Sequence, residues 1–168
     1  MWNEQIIMML LEGIKDTLYM TLTSTLIGYV IGLPMGILLT VTDKDGIHPN
    51  AAVYKVLDVI ANLIRSVPFL ILLIVLIPFT RFLIGRSYGP TATIVPLVIA
   101  AAPYIARMVE SSLKEVDAGV IEAARSMGAS NFTIVTKVML VEARTSLIVG
   151  ATISLGTILG YSAMAGTV

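Results

Sequence analysis

Three stretches of this sequence run for 20 residues or longer without a charged side chain: Thr17 to Thr42 (26 residues), Ser87 to Ala106 (20) and Thr145 to Val168 (24). A helix needs about 20 apolar residues in a row to cross the hydrocarbon core of a bilayer. In lipid, only helices and closed barrels satisfy every backbone polar group. A fourth stretch, Ser66 to Thr80, is 15 residues long and reaches spanning length only when extended back to Val56, which admits Asp58 and Arg65. The pattern predicts an all-α integral membrane protein, one transmembrane domain over 1–168, with spans at 17–42, 56–80, 88–108 and 143–165. Composition closes off the soluble alternative. At 57% hydrophobic and 13% charged, a chain of this length lacks the interior volume to hide its apolar surface.

The flanks give orientation. No Lys or Arg precedes the first apolar run, and Glu12 and Asp16 interrupt it, so the start is not read as a signal peptide. Met1 to Leu11, with Trp2, reads as an amphipathic lead-in lying along the membrane surface. Lys44, Lys55, Arg65, Arg107, Lys114, Arg125, Lys137 and Arg144 fall on one side, and Lys15, Arg81 and Arg86 on the other. Cytoplasmic loops carry the excess of basic residues. Eight against three places the N-terminus outside and the polar segment 107–144 in the cytoplasm; four spans then put the C-terminus outside as well.

Within the spans, Gly28, Gly32 and Gly36 share one helix face, as do Gly156 and Gly160. Such faces let helices approach closely in lipid, either inside one subunit or across a homodimer. Pro34, Pro68, Pro78, Pro96 and Pro103 lie in spans and predict bent helices around a pathway. Lys55, Asp58, Asn62 and Arg65 are spaced along one face of the second span. They form either a polar stripe lining a cavity or gate, or a helix end whose charges pair with one another and with head groups. Arg107, Glu110 and Lys114 read as an exposed, ion-paired helix end. With 11 basic and 11 acidic residues there is no electrostatic footprint for nucleic acid. No cysteine is present, and His48 stands alone in a loop, so no metal site is expected.

Residues 117–140 hold the remaining information. Asp117 is a plausible N-cap for a short helix that Gly128 ends, and Ser130 or Asn131 could cap a second. Val120, Ala123, Ala124 and Met127 form an apolar stripe on the first, beside Glu122 and Arg125. Phe132, Val135, Val138 and Met139 form one on the second. The pair reads as a docking knob or as a hairpin returning the chain to the membrane.

Glu122-Ala123-Ala124, three residues, Gly128, nine residues, Val138, one residue and Leu140 resemble the EAA motif of bacterial ABC-importer permeases, whose final proline is Val141 here. Arg65-Ser-Val-Pro68-Phe, Ile77-Pro78-Phe-Thr-Arg81, Ile94-Val-Pro96-Leu, Pro103-Tyr-Ile-Ala-Arg107-Met-Val-Glu110 and Gly160-Tyr161-Ser162-Ala163-Met164-Ala-Gly166 together look like the methionine-importer permease family over nearly the whole chain. The resemblance implies a multi-pass protein of the bacterial inner membrane, a homodimer of five-span subunits with two copies of a cytoplasmic ATPase docked on the EAA helices. A substrate-binding lipoprotein would deliver methionine from outside. By the motif match, Glu122, Ala123, Ala124 and Gly128 carry the coupling to the ATPase, with Arg125 and Met127 as neighbours. A Gly-rich connection and a fifth helix are expected after Gly166 in that family, whereas this sequence stops at Val168. It is read as a truncated product or part of a longer protein.

The implied mechanism is alternating access driven by the partner ATPase. This chain has no phosphate-binding GxxxxGK[ST] and no paired carboxylates in a plausible site, so no enzymatic activity and no cofactor are expected of it. Tyr161, Ser162 and Met164, with Asn62 and Arg65, are candidates for the substrate route; packing is the alternative for the fourth-span residues. The rivals are an ion-coupled secondary transporter, for which the spans offer only Asp58 as an acid, an anchor or assembly subunit that moves nothing, and a permease for another amino acid.

Overall fold

The structure is a computed structural model that describes residues 4–165. Trp2 and the Gly166 end of the last motif, both named above, lie outside those residues. The described residues fold into helices only: α1 (Glu4–Thr42), α2 (Ala51–Ser66), α3 (Phe69–Val75), α4 (Ile77–Ile84), α5 (Pro90–Lys114), α6 (Ala118–Ser126), α7 (Asn131–Thr133), a π-helical stretch (Ile134–Met139), α8 (Leu140–Glu142) and α9 (Arg144–Ala165). Among the described residues α1, α5 and α9 are each long and apolar enough to cross a membrane, and α2 with α3 make a fourth candidate if that bent pair is one span.

α5 is the centre of the molecule. Leu97, Ala101, Ile105, Val109 and Leu113 follow one another at helical spacing and are all buried in the main core. α1 lies against it through the glycine face. A Cβ placed on Gly32 would fall 2.6 Å from the Ala102 carbonyl oxygen, and one on Gly36 would fall 2.5 Å from that of Ala106. These two positions require glycine because backbone meets backbone there. The ladder therefore packs inside one subunit. Gly156 and Gly160 of α9 have nothing within 4 Å of a Cβ; that helix instead seats Ile158, fully buried, on the core.

Two expectations about the spans are corrected. The lead-in expected over Met1 to Leu11 is not a separate element within the described residues: Glu4 onward belongs to α1, a single helix of 39 residues. At 1.5 Å per residue it is about 58 Å long, well beyond a hydrocarbon core of about 30 Å. The helix expected over 56–80 is broken twice. Val67 is extended (φ −87°, ψ 124°), and α2 meets α3 at 101°. Pro68 forces this, since a proline's Cδ pushes the preceding residue out of the helical region. A second interruption falls at Leu76, where Pro78 opens α4 without an N–H to offer. Pro34, Pro96 and Pro103 sit inside α1 and α5 without interrupting them.

Candidate functional site: the coupling segment and its ionic tether

Local chemistry shapes α6. The Asp117 carboxylate accepts a hydrogen bond from the Gly119 N–H at 2.7 Å, capping the N-terminus. At the other end Gly128 takes φ +82°. Its N–H donates to Arg125 O (2.9 Å) and the Ala129 N–H to Ala124 O (3.1 Å). This pair of bonds is the Schellman closure, which needs a left-handed residue at the glycine position. The Ser130 hydroxyl then accepts from the Thr133 N–H at 3.2 Å and caps α7.

The motif residues divide by face. Ala124 is 5% exposed and belongs to the core with Ile134, Val135, Met139 and Ala143, while Ile121 packs partly against it. Glu122, Ala123, Arg125, Met127 and Gly128 are exposed. Two expected stripes change accordingly. Val120, Ala123 and Met127 (82% exposed) do face outward, but Ala124 is the inward residue that lets α6 sit close to the body. On the second helix only Phe132 (77% exposed) faces out; Val135 and Met139 are buried. The difference arises because the α7–α8 region buries Ile134, Val135 and Met139 in the same core cluster as Ala124 of α6. Val141, at the position of the family's proline, lies in α8, and the chain still breaks before α9, at Ala143.

Beneath α6 lies a set of charges that spans three segments. Arg107 of α5 pairs with Asp58 of α2 and, through Nη1 at 2.7 Å, with Glu110. Its Nη2 also donates to the Asn62 side-chain oxygen at 3.0 Å. Glu110 accepts from Lys114 at 2.8 Å, and Lys114 reaches Asp43, just after α1, at 2.6 Å. The Tyr54 hydroxyl donates to Glu110 at 3.4 Å, and the Lys114 ammonium lies 5.8 Å from the Tyr54 ring centre. Arg125 of α6 donates to the Ile47 carbonyl in the α1–α2 loop at 3.0 Å. The hydrogen bond from Lys114, then that from the Lys44 N–H, hold the Asp43 carboxyl below its ordinary range despite partial burial.

Arg107, Glu110 and Lys114 are thus ion-paired as expected, but not an exposed helix end: Glu110 is 5% exposed, and Arg107 and Lys114 reach on to Asp58 of α2 and to Asp43 after α1. Of the polar stripe on α2, Asp58 and Asn62 are gathered under Arg107. Arg65 instead lines a small cavity of about 180 Å³ with Tyr104 and Tyr161, where the Tyr161 ring stacks on Phe69 at 4.6 Å. Ser162 is buried, accepts from the Thr21 hydroxyl at 3.4 Å and donates to Leu159 O. It borders a different, larger cavity, whereas Met164 is exposed. The five candidates for the substrate route therefore do not form one site. Asp43, Tyr54 and Asp58 were not anticipated as partners of the Arg107, Glu110 and Lys114 set. The available signal was that an intramembrane acid (Asp58) and a basic residue closing another span (Arg107) each demand a partner.

Comparison with known proteins agrees with this architecture. Residues 7–168 match the family model described as the binding-protein-dependent transport system inner membrane component. The D-methionine transport system permease proteins MetI of Salmonella typhimurium and Escherichia coli are each 51% identical over 164 residues, 98% of this chain and 76% of theirs. A solved structure of the MetNI methionine ABC transporter in inward-facing conformations superposes with a TM-score of 0.96 at 50% identity, over 99% of this chain and 77% of that one. A permease-like fold, a coupling helix with its small residues turned inward and outward as described, and these matches lead to one assignment: the chain belongs to the binding-protein-dependent transport system inner membrane components.

Proposed function

We propose that this chain is the permease subunit of an ATP-driven importer that takes up methionine by alternating access, with the N-terminus outside and 107–144 in the cytoplasm. The carrying observation is α6, a capped helix that seats Ala124 on the body and leaves Val120, Ala123 and Met127 facing outward. A cytoplasmic ATPase docks on that face, one copy per subunit of a permease homodimer. Glu122, Arg125 and Gly128 hold the contact in register, and the ATPase carries out the hydrolysis. An extracytoplasmic binding lipoprotein delivers the substrate. Methionine as cargo is supported by the relatives at 51% identity that are named for it.

Mechanically, α6 is joined to the spans twice. Its N-cap Asp117 follows α5 after two intervening residues, and Arg125 holds the α1–α2 loop. Displacement of α6 by the ATPase is thereby passed to α5 directly and to α2 through Arg107 and Asp58. Residues 1–168 are read as one transmembrane domain. The test is uptake of labelled methionine into vesicles carrying the permease, its ATPase and its binding protein. ATP-dependent accumulation is expected, and accumulation that persists without ATP would overturn the reading.

A further inference from the structure

A cavity of about 620 Å³ opens where the first half of α1, α3 with α4, the start of α5 and the end of α9 come together, far from α6. Its volume lies within the range of about 300–1,000 Å³ usual for small-molecule sites. Three unlike features converge on it.

Asp16 is the one charged residue that lines it, and forms no ion pair among the described residues. Asp16 is exposed at the edge of the span, so its carboxylate is unpaired and accessible to a cationic group entering the cavity. The second feature is the beginning of α5. Its N-cap is Gly89, which has no side chain to cap with, and its first residue is Pro90. The first bond back onto the cap is from the Thr93 N–H to Gly89 O. The N–H groups of the first turn therefore have no partner inside the helix, and the dipole favours an anion there. The third feature is independent of both. Thr80 is 3% exposed and lines the cavity, yet its hydroxyl makes no hydrogen bond among the described residues. Other threonines of these helices bond the carbonyl four residues back, as Thr25 and Thr40 do. The residue is buried, but its oxygen is not one of the enclosed atoms left without a partner (Ser24 Oγ and Arg107 Nε), so it is open to bond whatever fills the cavity. Between these polar groups the wall is apolar, with Met20, Leu73 and Pro96 buried against it.

The geometry points to a subsite for a zwitterionic amino acid with an apolar side chain: Asp16 takes the α-ammonium, the N-terminus of α5 with Thr80 takes the α-carboxylate, and the Met20, Leu73 and Pro96 wall takes the side chain. This rests on the reading of the chain as an amino-acid import permease, and assigns that import a place for its cargo. Every demand of the ligand is met from this chain. A cationic ligand alone would leave α5 and Thr80 unused, and a simple anion would be repelled by Asp16.

The chain contains no cysteine, so one introduced thiol is unique within it. Ala163, exposed and lining the cavity, is the place for it. In the permease–ATPase complex embedded in nanodiscs, methionine should protect Ala163→Cys from a thiol reagent. N-acetylmethionine, which lacks the ammonium, should need at least a tenfold higher concentration. Adding Asp16→Asn should raise the half-protecting concentration of methionine at least tenfold while leaving that of N-acetylmethionine unchanged. Thr80→Val should weaken protection by methionine without restoring equality between the two probes. Absence of protection, or unchanged discrimination in the Asp16→Asn background, overturns the subsite. Uptake by the same wild-type complex with its binding protein separates the two claims. Methionine uptake without protection removes the subsite alone. Protection by another apolar amino acid, with no methionine uptake, keeps the subsite and removes methionine as cargo.

Discussion

Arg107 of α5 and Asp58 of α2 form an ion pair that joins helices separated by almost fifty residues of sequence, and Arg107 holds Glu110 with its other nitrogen at 2.7 Å. The guanidinium suits this position because its planar fork can serve two carboxylates and the Asn62 amide at once, which a lysine ammonium does with less directionality. Glu110, buried and shared between Arg107 and Lys114, is the pivot of the chain of charges.

Removing the cation should be costly. Arg107→Gln leaves the buried Glu110 and the partly exposed Asp58 with part of their charge uncompensated; breaking a fully buried pair typically costs about 3–5 kcal/mol, and the cost here is smaller because Asp58 is partly solvated. Thermal unfolding of the purified protein should show a clear loss of Tm. Arg107→Lys should fall between the two, and a Tm equal to wild type for Arg107→Gln would show that the pairing contributes nothing.

The Asp43–Lys114 pair carries a pH signature. Asp43 has a lowered carboxyl pKa in the folded protein, chiefly through the Lys114 hydrogen bond. Its stabilisation is therefore complete above the unfolded carboxylate value of about 4, and is lost as pH falls through the lower folded value. Asp43→Asn should lower Tm at neutral pH and flatten its decline on the acid side. Parallel Tm-against-pH curves for the variant and wild type between pH 3 and 6 would contradict this.

Glycines on the two sides of the molecule should respond oppositely. Gly36→Ala puts a methyl 2.5 Å from the Ala106 oxygen and 2.7 Å from Val109 Cβ, and overpacking of this kind costs about 1–3 kcal/mol. Gly156→Ala meets nothing within 4 Å and should gain a few tenths to about 1 kcal/mol of helix propensity. Equal Tm changes in the two variants would refute the assignment of the packing face.

The docking face can be tested without disturbing the fold. Met127 is 82% exposed, so Met127→Asp should leave stability within about 0.5 kcal/mol of wild type while weakening co-purification of the ATPase at least tenfold. Gly128→Ala acts differently. It strains the φ +82° closure by about 1–2 kcal/mol and should reduce both stability and coupling. Undiminished co-purification with Met127→Asp would remove this face from the contact.

What could be read in advance followed from local physics. Charge-free runs mark α1, α5 and α9 because the bilayer sets a length that no soluble element has reason to match. Asp117, Gly128 and Ser130 were legible as caps because capping depends on residues two to five apart. The second span was not legible as broken. Proline is tolerated inside α1 and α5 yet breaks the chain at Pro68, and which outcome occurs depends on what neighbouring helices can satisfy. Ala124 was placed on the wrong side of its stripe because an alanine fits both a surface and a crowded interface; only the position of Ile134 and Met139 decides. The pairing of Arg107 with Asp58 is tertiary, and no spacing rule reaches across 49 positions.

The glycine ladder also limits how the molecule can move. Gly28, Gly32 and Gly36 meet α5 at successive turns, with carbonyl oxygens of Ala102 and Ala106 filling the space a side chain would take. Sliding α1 along α5 by one residue would drive Cβ-bearing neighbours such as Leu33 and Ile37 into those oxygens. The two helices therefore translate together, as a keel does with its hull. Any power stroke delivered to this subunit has to be expressed elsewhere, in the jointed segment from α2 to α4 and in α9, whose Gly156 and Gly160 face no described residue grips.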